Sequence, residues 1–394
     1  MSNDIALQPI STAELERRWR LVRAEMRARD LDALVIQATQ DWLGGYLKWF
    51  TDHPATNGYP TTVIFPREGT MTLIEQGPMG VSRQLRDDPL YRGIGKKCYT
   101  SSFSSVHYST AYDAQLVVEE LKTAGLRRVG LVATAQMQYD FCAHLRQALG
   151  ERAVLSATEF VDAIKALKSP EEQALIRGTA HLQDQVIDAV ARWLTPGKRD
   201  FEIAAYAQHV AQNLGSEQGI FLGSSARVGQ PAVFRPRHEQ GRTLERGGHF
   251  SLLVEVNGPG GYYTEIGRIF VLGKAPQFLR DGLERVKEAQ RHLLGLLKPG
   301  ASCSEIFGAF NDYMRSRGLP EERRLNAHGQ GYDMVERPLI RDDESMRIAA
   351  DMCIVVHPGI MTDQMFAVVC DNYLIGPNGP GECLHRTPQH IIEV

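Results

Sequence analysis

The feature that most restricts how this chain can fold is a pattern that occurs twice in its second half. Residues 170–195 and 200–214 read as two helices joined by Thr195-Pro196-Gly197, and strands at 249–256 and 262–272 follow around Asn257-Gly258-Pro259-Gly260-Gly261. The order then recurs: helices at 277–297 and 303–317 joined through Pro299-Gly300, then strands at 352–357 and 366–375. A strand pair with one apolar face must cover that face, and the helices beside it in sequence are the available cover. Two such units imply antiparallel sheets backed by helices, an α+β domain with a faint internal repeat. Its first helix has a clear start in Ser169-Pro170-Glu171-Glu172: a Ser cap, Pro at the first helical position, then acids against the helix dipole.

The first part of the chain has a different rhythm. Ser11-Thr12-Ala13-Glu14 reads as a capping box opening a helix to about Arg29. Strands at 31–37, 61–66, 71–75 and 128–134 alternate with helices at 111–124 and 137–149, which predicts an α/β domain. The expected division is residues 1–158 and 159–394. Charge adds an exclusion: 44 Lys+Arg against 47 Asp+Glu leave a net charge of −3. Nucleic acid and membrane surfaces call for a basic excess, so neither is an expected partner. No apolar run approaches the roughly 18 residues of a membrane span. The Arg-rich first thirty residues contain no apolar leader core, so a cytoplasmic location is expected. The six Cys are scattered without a CxxC pair, which argues against a zinc ribbon or a disulfide scaffold.

Several groups could carry chemistry. Glu255, Asn257 and Glu265 lie on the first hairpin, and Leu252, Leu253, Val254 and Val256 mark the first strand as buried, so Glu255 needs a partner. Glycines flank His328 in Asn326-Ala327-His328-Gly329-Gln330-Gly331-Tyr332, where the backbone can approach a ligand closely. An apolar strand delivers His357 just before Pro358-Gly359, and Cys370 ends Val368-Val369-Cys370. Arg235, Arg237 and His238 share a loop that could clamp a carboxylate. Trp42, Tyr46, Trp49, Phe50, His53 and Tyr59 form an aromatic-dense stretch, either packing or the wall of a small-molecule pocket. Taken singly, each group has an ordinary alternative: a solvated strand face, a Gly-rich turn, a satisfied core His, a buried apolar Cys, a basic loop. GxGxxG after a strand, Walker A and GxSxG are all missing, so nucleotide binding and a serine elbow have no support.

Taken together, the pieces resemble the creatinase / aminopeptidase P / prolidase family, whose fold is the pita-bread fold. The likeness runs over nearly the whole chain. It rests on residues 164–172, on Gly261-Tyr262-Tyr263-Thr264-Glu265-Ile266-Gly267-Arg268, on His328-Gly329-Gln330-Gly331 with Glu336-Arg337-Pro338, and on His357-Pro358-Gly359. The resemblance implies a creatinase-like α/β N-terminal domain, a pita-bread α+β catalytic domain, and a site in which two Asp, one His and two Glu bridge two divalent ions. This chain departs from that set. Leu253, Val254 or Glu255 stands at the first Asp, Glu265 at the second, His357 at the first Glu and Cys370 at the last, while His328 is retained and Val335 replaces a further His. Two hard ions need bridging carboxylate oxygens that these residues do not supply.

The implied function is a creatinase-like hydrolase or lyase that cleaves a C–N bond of a small nitrogen-containing carboxylate by side-chain acid/base catalysis. His328, His357, Glu265 and Glu255 are the expected catalytic residues. Arg235, His238, Tyr262, Tyr332, Glu336, Cys370, Tyr59 and Phe50 are expected to bind substrate. No metal is expected. The alternative is a remodelled, peptidase-like site holding a single zinc-type ion on Glu265, His328, His357 and Cys370. A catalytically inactive binding protein is a third reading, opposed by the retained polar set. A homodimer is also implied, with residues near Tyr46–Tyr59 of one subunit closing the pocket of the other.

Overall fold

The computed structural model describes residues 9–41, 44–86 and 88–394, so Trp42 of the aromatic stretch lies outside the described residues. It divides into two compact units, Pro9–Lys165 and Ala166–Val394. In the first unit, helix Thr12–Ala28 starts at Ser11, whose hydroxyl accepts from the Glu14 backbone at 3.1 Å. A seven-stranded mixed sheet follows, with Ala33–Ala38 paired antiparallel to Thr61–Pro66 and parallel to Val129–Val132. All six residues of Ala33–Ala38 are buried, as a largely apolar run in a covered strand should be, and the one polar member, Gln37, donates to Thr62. Ile94–Thr100 is a strand that the sequence did not announce: two lysines interrupt its apolar pattern, and Lys97 is buried there by an ion pair with Glu75 at 2.6 Å.

Two expectations are corrected in this unit. Helix Thr158–Lys165 belongs to it rather than to the second domain, and the Arg29 guanidinium lies over the Phe160 ring at 4.8 Å, so the division falls at Lys165/Ala166. Phe50 is core, not pocket wall. It is fully buried on helix Gly45–Thr51, edge-on to both Trp49 and Phe65 at 5.1 Å, and the carbonyls of Trp49 and Phe50 accept from Arg18 and Trp19.

The second unit contains the repeat. Helix Pro170–Trp193 has the full capping box, Ser169 Oγ accepting from the Glu172 backbone and Glu172 Oε2 from the Ser169 backbone. With Asp200–Asn213 it covers one face of a four-stranded sheet ordered Ile392–Glu393, Tyr263–Val271, His249–Asn257 and Gly219–Ala226. Helices Gln277–Leu296 and Cys303–Ser316 cover a five-stranded sheet built on Ala327–Gly329, Cys353–Val356 and Asp371–Gly376. The expected strand 366–375 is in fact broken. Phe366–Val368 turns away to pair with Gly359–Met361, and only Asp371–Gly376 pairs with Cys353–Val356. Between them Cys370 leaves its own sheet and bridges to Gly267 of the hairpin, the Gly267 N–H donating to the Cys370 carbonyl at 3.2 Å. A Cβ at 267 would lie 2.8 Å from the Cys370 sulfur, so this seam needs glycine. Among the described residues no helix is long and apolar enough to cross a membrane.

One buried ion pair lies beside the seam. Arg268 Nη2 donates to Asp371 Oδ1 and to the Thr387 carbonyl, each at 2.7 Å, and Gln389 donates to Asp371 Oδ2 at 2.7 Å. Burial pushes the Asp371 carboxyl up, but the Arg268 guanidinium and His385 outweigh it and hold it below the usual range. Removing one partner of such a pair leaves an uncompensated buried charge. Asp371→Ala is therefore expected to destabilise the second unit by about 3–5 kcal/mol. The ¹⁹F signal of fluorinated Trp193, the one tryptophan in residues 166–394, followed through urea unfolding, measures this.

Candidate active site

The site begins with the register of one hairpin. Glu255 lies directly opposite Glu265, and Leu253 opposite Gly267. Strand residues alternate faces, and Phe250, Leu252, Val254, Val256 and Ile266 pack against the helices. Both carboxyls therefore point away from the helices. Of the three residues that the sequence left open at the first Asp position, Glu255 is the one this register sets opposite Glu265. The second sheet supplies the histidines by the same rule. Ala327, Ile354 and Val356 face their helices, so His328 projects the other way, and His357 follows at the strand's end. Glu255, Glu265, His328, His357 and Cys370 line one cavity of about 480 Å³.

Hydrogen bonds lock these side chains. Gln330 Nε2 donates to Glu255 Oε1 at 2.8 Å, Asn372 Nδ2 donates to Gln330 Oε1 at 2.7 Å, and the Glu265 N–H donates to Asn372 Oδ1 at 2.8 Å. The amide chain thus ties both carboxylate-bearing strands to the second sheet. Burial raises both acids. The neighbouring Glu265 charge adds to the rise at Glu255, which lies well above the carboxylate range, while Glu265 is pushed up to about 7. Without a cation, the pair therefore holds a proton at neutral pH. Burial lowers His328 to about 4 and, with His328 beside it, His357 to about 3, so both rings are neutral. The ring centroids are 5.2 Å apart. Burial and the neighbouring Glu265 carboxyl push the Cys370 thiol well up, so it stays protonated.

The tautomer of His328 follows from its partner. Nδ1 lies 2.9 Å from the Gly329 carbonyl, which can only accept, so Nδ1 carries the proton. Nε2 then presents a bare lone pair, 3.9 Å from Glu265 Oε2. Glu255, Glu265 and His328 each offer a ligand atom, all within 4.8 Å of one another and all buried. Two carboxylates and one imidazole fit a single divalent ion, and the Nδ1–H to carbonyl bond is the usual support for a ligating His. A bridged two-ion site does not fit, because His357 and a protonated Cys370 stand where further carboxylates would be needed. The one-ion set expected from sequence, Glu265, His328, His357 and Cys370, is also revised: among the described residues the cluster takes Glu255 and leaves out His357 and Cys370.

Other expected residues are committed elsewhere. Arg235 pairs with Glu239 at 2.7 Å, and His238 is 80% exposed beside the same acid; neither lines the cavity. The Tyr262 hydroxyl donates to Glu172 Oε1 at 2.8 Å and its ring stacks on Tyr332 at 4.1 Å, which buries both. Glu336 is buried against Lys168 at 2.9 Å and accepts from the Asp333 backbone. Tyr59 sits edge-on to Phe103 within the first unit. Sequence reading missed Arg324, Phe234 and Phe366, which do line the cavity, and the Gln330–Asn372 link. Gln330 was visible inside the His328 motif. Arg324 was hidden in the charged run Glu321-Glu322-Arg323-Arg324, which reads as solvated surface.

Known proteins share this architecture. The X-Pro aminopeptidase of Thermotoga maritima superposes with a TM-score of 0.79 over 96% of this chain and 99% of its own, at 16% identity, a likeness of fold. In sequence the chain is similar to an uncharacterised hydrolase/peptidase of Sinorhizobium fredii, 24% identical over 98% of this chain and 97% of that protein. It is also similar to an Xaa-Pro dipeptidase of Pyrococcus horikoshii, 22% identical over 68% of this chain and 76% of that protein. Residues 174–377 match metallopeptidase family M24.

The raised carboxyl has a measurable consequence. For Glu265, at about 7 folded against 4.5 free, the protonated form favours folding. That contribution is complete below pH 4.5 and is lost as pH rises through 7, about 3 kcal/mol in all. Chelator-treated protein is expected to melt at lower temperature at pH 8 than at pH 5. Glu265→Gln is expected to flatten that dependence, and added Zn²⁺ or Mn²⁺ to raise the pH 8 melting point of the parent protein only.

Proposed function

Because the chain belongs to metallopeptidase family M24, we propose that it is a hydrolase of the C–N bond in a small nitrogen-containing carboxylate, working with one divalent ion held by Glu255, Glu265 and His328. The observation that carries this reading is the convergence of two buried carboxyls and the bare His328 Nε2 within 4.8 Å. When bound, such an ion supplies Lewis acidity and a water that ionises near neutral pH. The chain's own residues supply the rest. Gln330 N–H holds one oxygen of Glu255 and so fixes the direction of the other, and Asn372 holds the backbone of Glu265. His357 is neutral and lines the same cavity; burial makes it a weak base, so a proton it takes is passed on rather than kept. As the water oxygen bonds to the substrate carbon, its proton passes to His357 and then to the nitrogen, which departs as an amine when the C–N bond breaks. The similarity to an Xaa-Pro dipeptidase supports an amide-type bond.

A second reading is creatinase-like catalysis by side chains alone. The raised Glu255 and Glu265 favour it, since a shared proton can balance the pair in place of an ion. Elemental analysis of the purified protein with a chelation assay separates the two. The expected result is about one Zn or Mn per chain, activity lost on chelation and restored by one equivalent of metal. His357→Ala is expected to lower kcat by about 10²–10⁴ while the bound metal remains. Full activity in metal-free protein would leave the side-chain mechanism, and an unimpaired His357→Ala would remove that residue from both.

A further inference from the structure

We propose that Arg324 is the carboxylate anchor of this site, and that the substrate it selects is a small monoanion with an apolar group beside its C–N bond. This rests on the cavity's being the substrate site, as argued above, and it specifies the ligand. Three observations carry it. First, Arg324 lines the cavity and its side chain is exposed, and no acidic side chain among the described residues pairs with it. Three other arginines of this region are engaged, Arg315 with Glu321, Arg337 with Glu344 and Arg341 with Asp343, while Arg323, exposed like Arg324, does not line the cavity. Second, the loop bearing Arg324 is held while its guanidinium is left open. Glu322 Oε1 accepts from the Arg324 N–H at 2.6 Å and from the Leu325 N–H at 3.1 Å, so the acid nearest in sequence is spent on backbone. Third, the cavity is mixed in character. Its lining includes the polar group Glu255, Glu265, His328 and His357 and an apolar cluster in which Leu253 and Cys370 pack against Leu222, Phe234 and Phe366.

These parts order a ligand in one way. A carboxylate is attracted by Arg324, the cation whose charge reaches Glu255, Glu265, His328 and His357 alike. The apolar cluster then receives a hydrophobic group, with Phe234 and Phe366 meeting edge to face at 5.2 Å. What remains for the polar group is the polar C–N linkage between them. Arg235, expected from sequence to clamp a carboxylate, lies outside the cavity and is paired with Glu239.

The test is binding to the purified protein by calorimetry, with N-acetyl-L-leucine and N-acetyl-L-leucinamide as probes, alike except for the carboxylate. The parent protein is expected to bind the acid at least about 10-fold more tightly than the amide. Arg324→Gln is expected to erase that preference by weakening the acid alone, and Phe234→Ala to weaken both probes equally. Arg324 is exposed, so its loss should not perturb folding, and an unchanged melting temperature checks this. Equal binding of acid and amide by the parent, a preference that survives Arg324→Gln, or no binding of either probe would overturn the proposal. A preference that depends on Arg324, in a protein that hydrolyses no amide of this class, would leave the anchor standing and remove the hydrolytic reading.

Discussion

The geometry of the site depends on one cross-strand pair, Glu255 facing Glu265. Like charges directly opposite on a sheet repel, and here both are buried, so this register is unfavourable unless something is shared between the two carboxyls. The fold holds it by other means. Leu252, Val254, Val256, Ile266 and Phe270 occupy the alternate positions and bury against helices Pro170–Trp193 and Asp200–Asn213. A slip of one residue would send that whole apolar set to the wrong face. The helices' cover thus fixes the register, and the register presses the carboxyls together, raising both toward protonation or toward a cation.

The second sheet completes the site through a seam rather than a continuous ladder. Cys370 steps out of its strand to bridge Gly267, and the next residue, Asp371, is fixed by Arg268 from the same hairpin strand. Adjacent residues on each side of the seam thus do different work: Gly267 and Cys370 make the close approach, Arg268 and Asp371 clamp it. Gln330 and Asn372 cross the same junction and end on Glu255 and on the backbone of Glu265. A side chain on either sheet is therefore positioned relative to the other sheet by polar contacts that are themselves buried, which gives the site rigidity without a loop to support it.

What was legible in the sequence follows from the range of each signal. The two helix pairs, the Ser169 cap and the hairpin turn are local patterns, and they appear where the sequence placed them. Glu265, His328 and His357 sit in motifs with glycines or an apolar strand around them, and all three reach the cavity. The break at Val369–Cys370 was not legible, because Val368-Val369-Cys370-Asp371 is a good strand in isolation and only contact with Gly267 diverts it. Arg324 and Arg235 show the same limit from the other side. Both stand in charged loops, and whether an arginine faces a cavity or a neighbouring acid is decided by residues distant in sequence. The role of the aromatic stretch around Phe50 stayed open in the sequence because packing and pocket walls use the same residue types.

Charge balance explains why His357 and Cys370 can stand where the family resemblance puts carboxylates. A buried cavity tolerates little uncompensated charge. With His357 neutral and Cys370 protonated, the anionic groups in the cluster are Glu255 and Glu265, two negative charges at most. One divalent ion would neutralise them. A second would leave two positive charges buried, with a thiol and an imidazole as their remaining ligands. The substitutions therefore act together: exchanging either residue alone for an acid would leave a carboxylate without a matching cation, so the neutral pair and a single-ion site are one electrostatic solution. The same balance assigns Arg324 its place. Within the cluster it would compete with an ion for the two carboxylates, but on the exposed side of the cavity its charge is left for an anionic substrate.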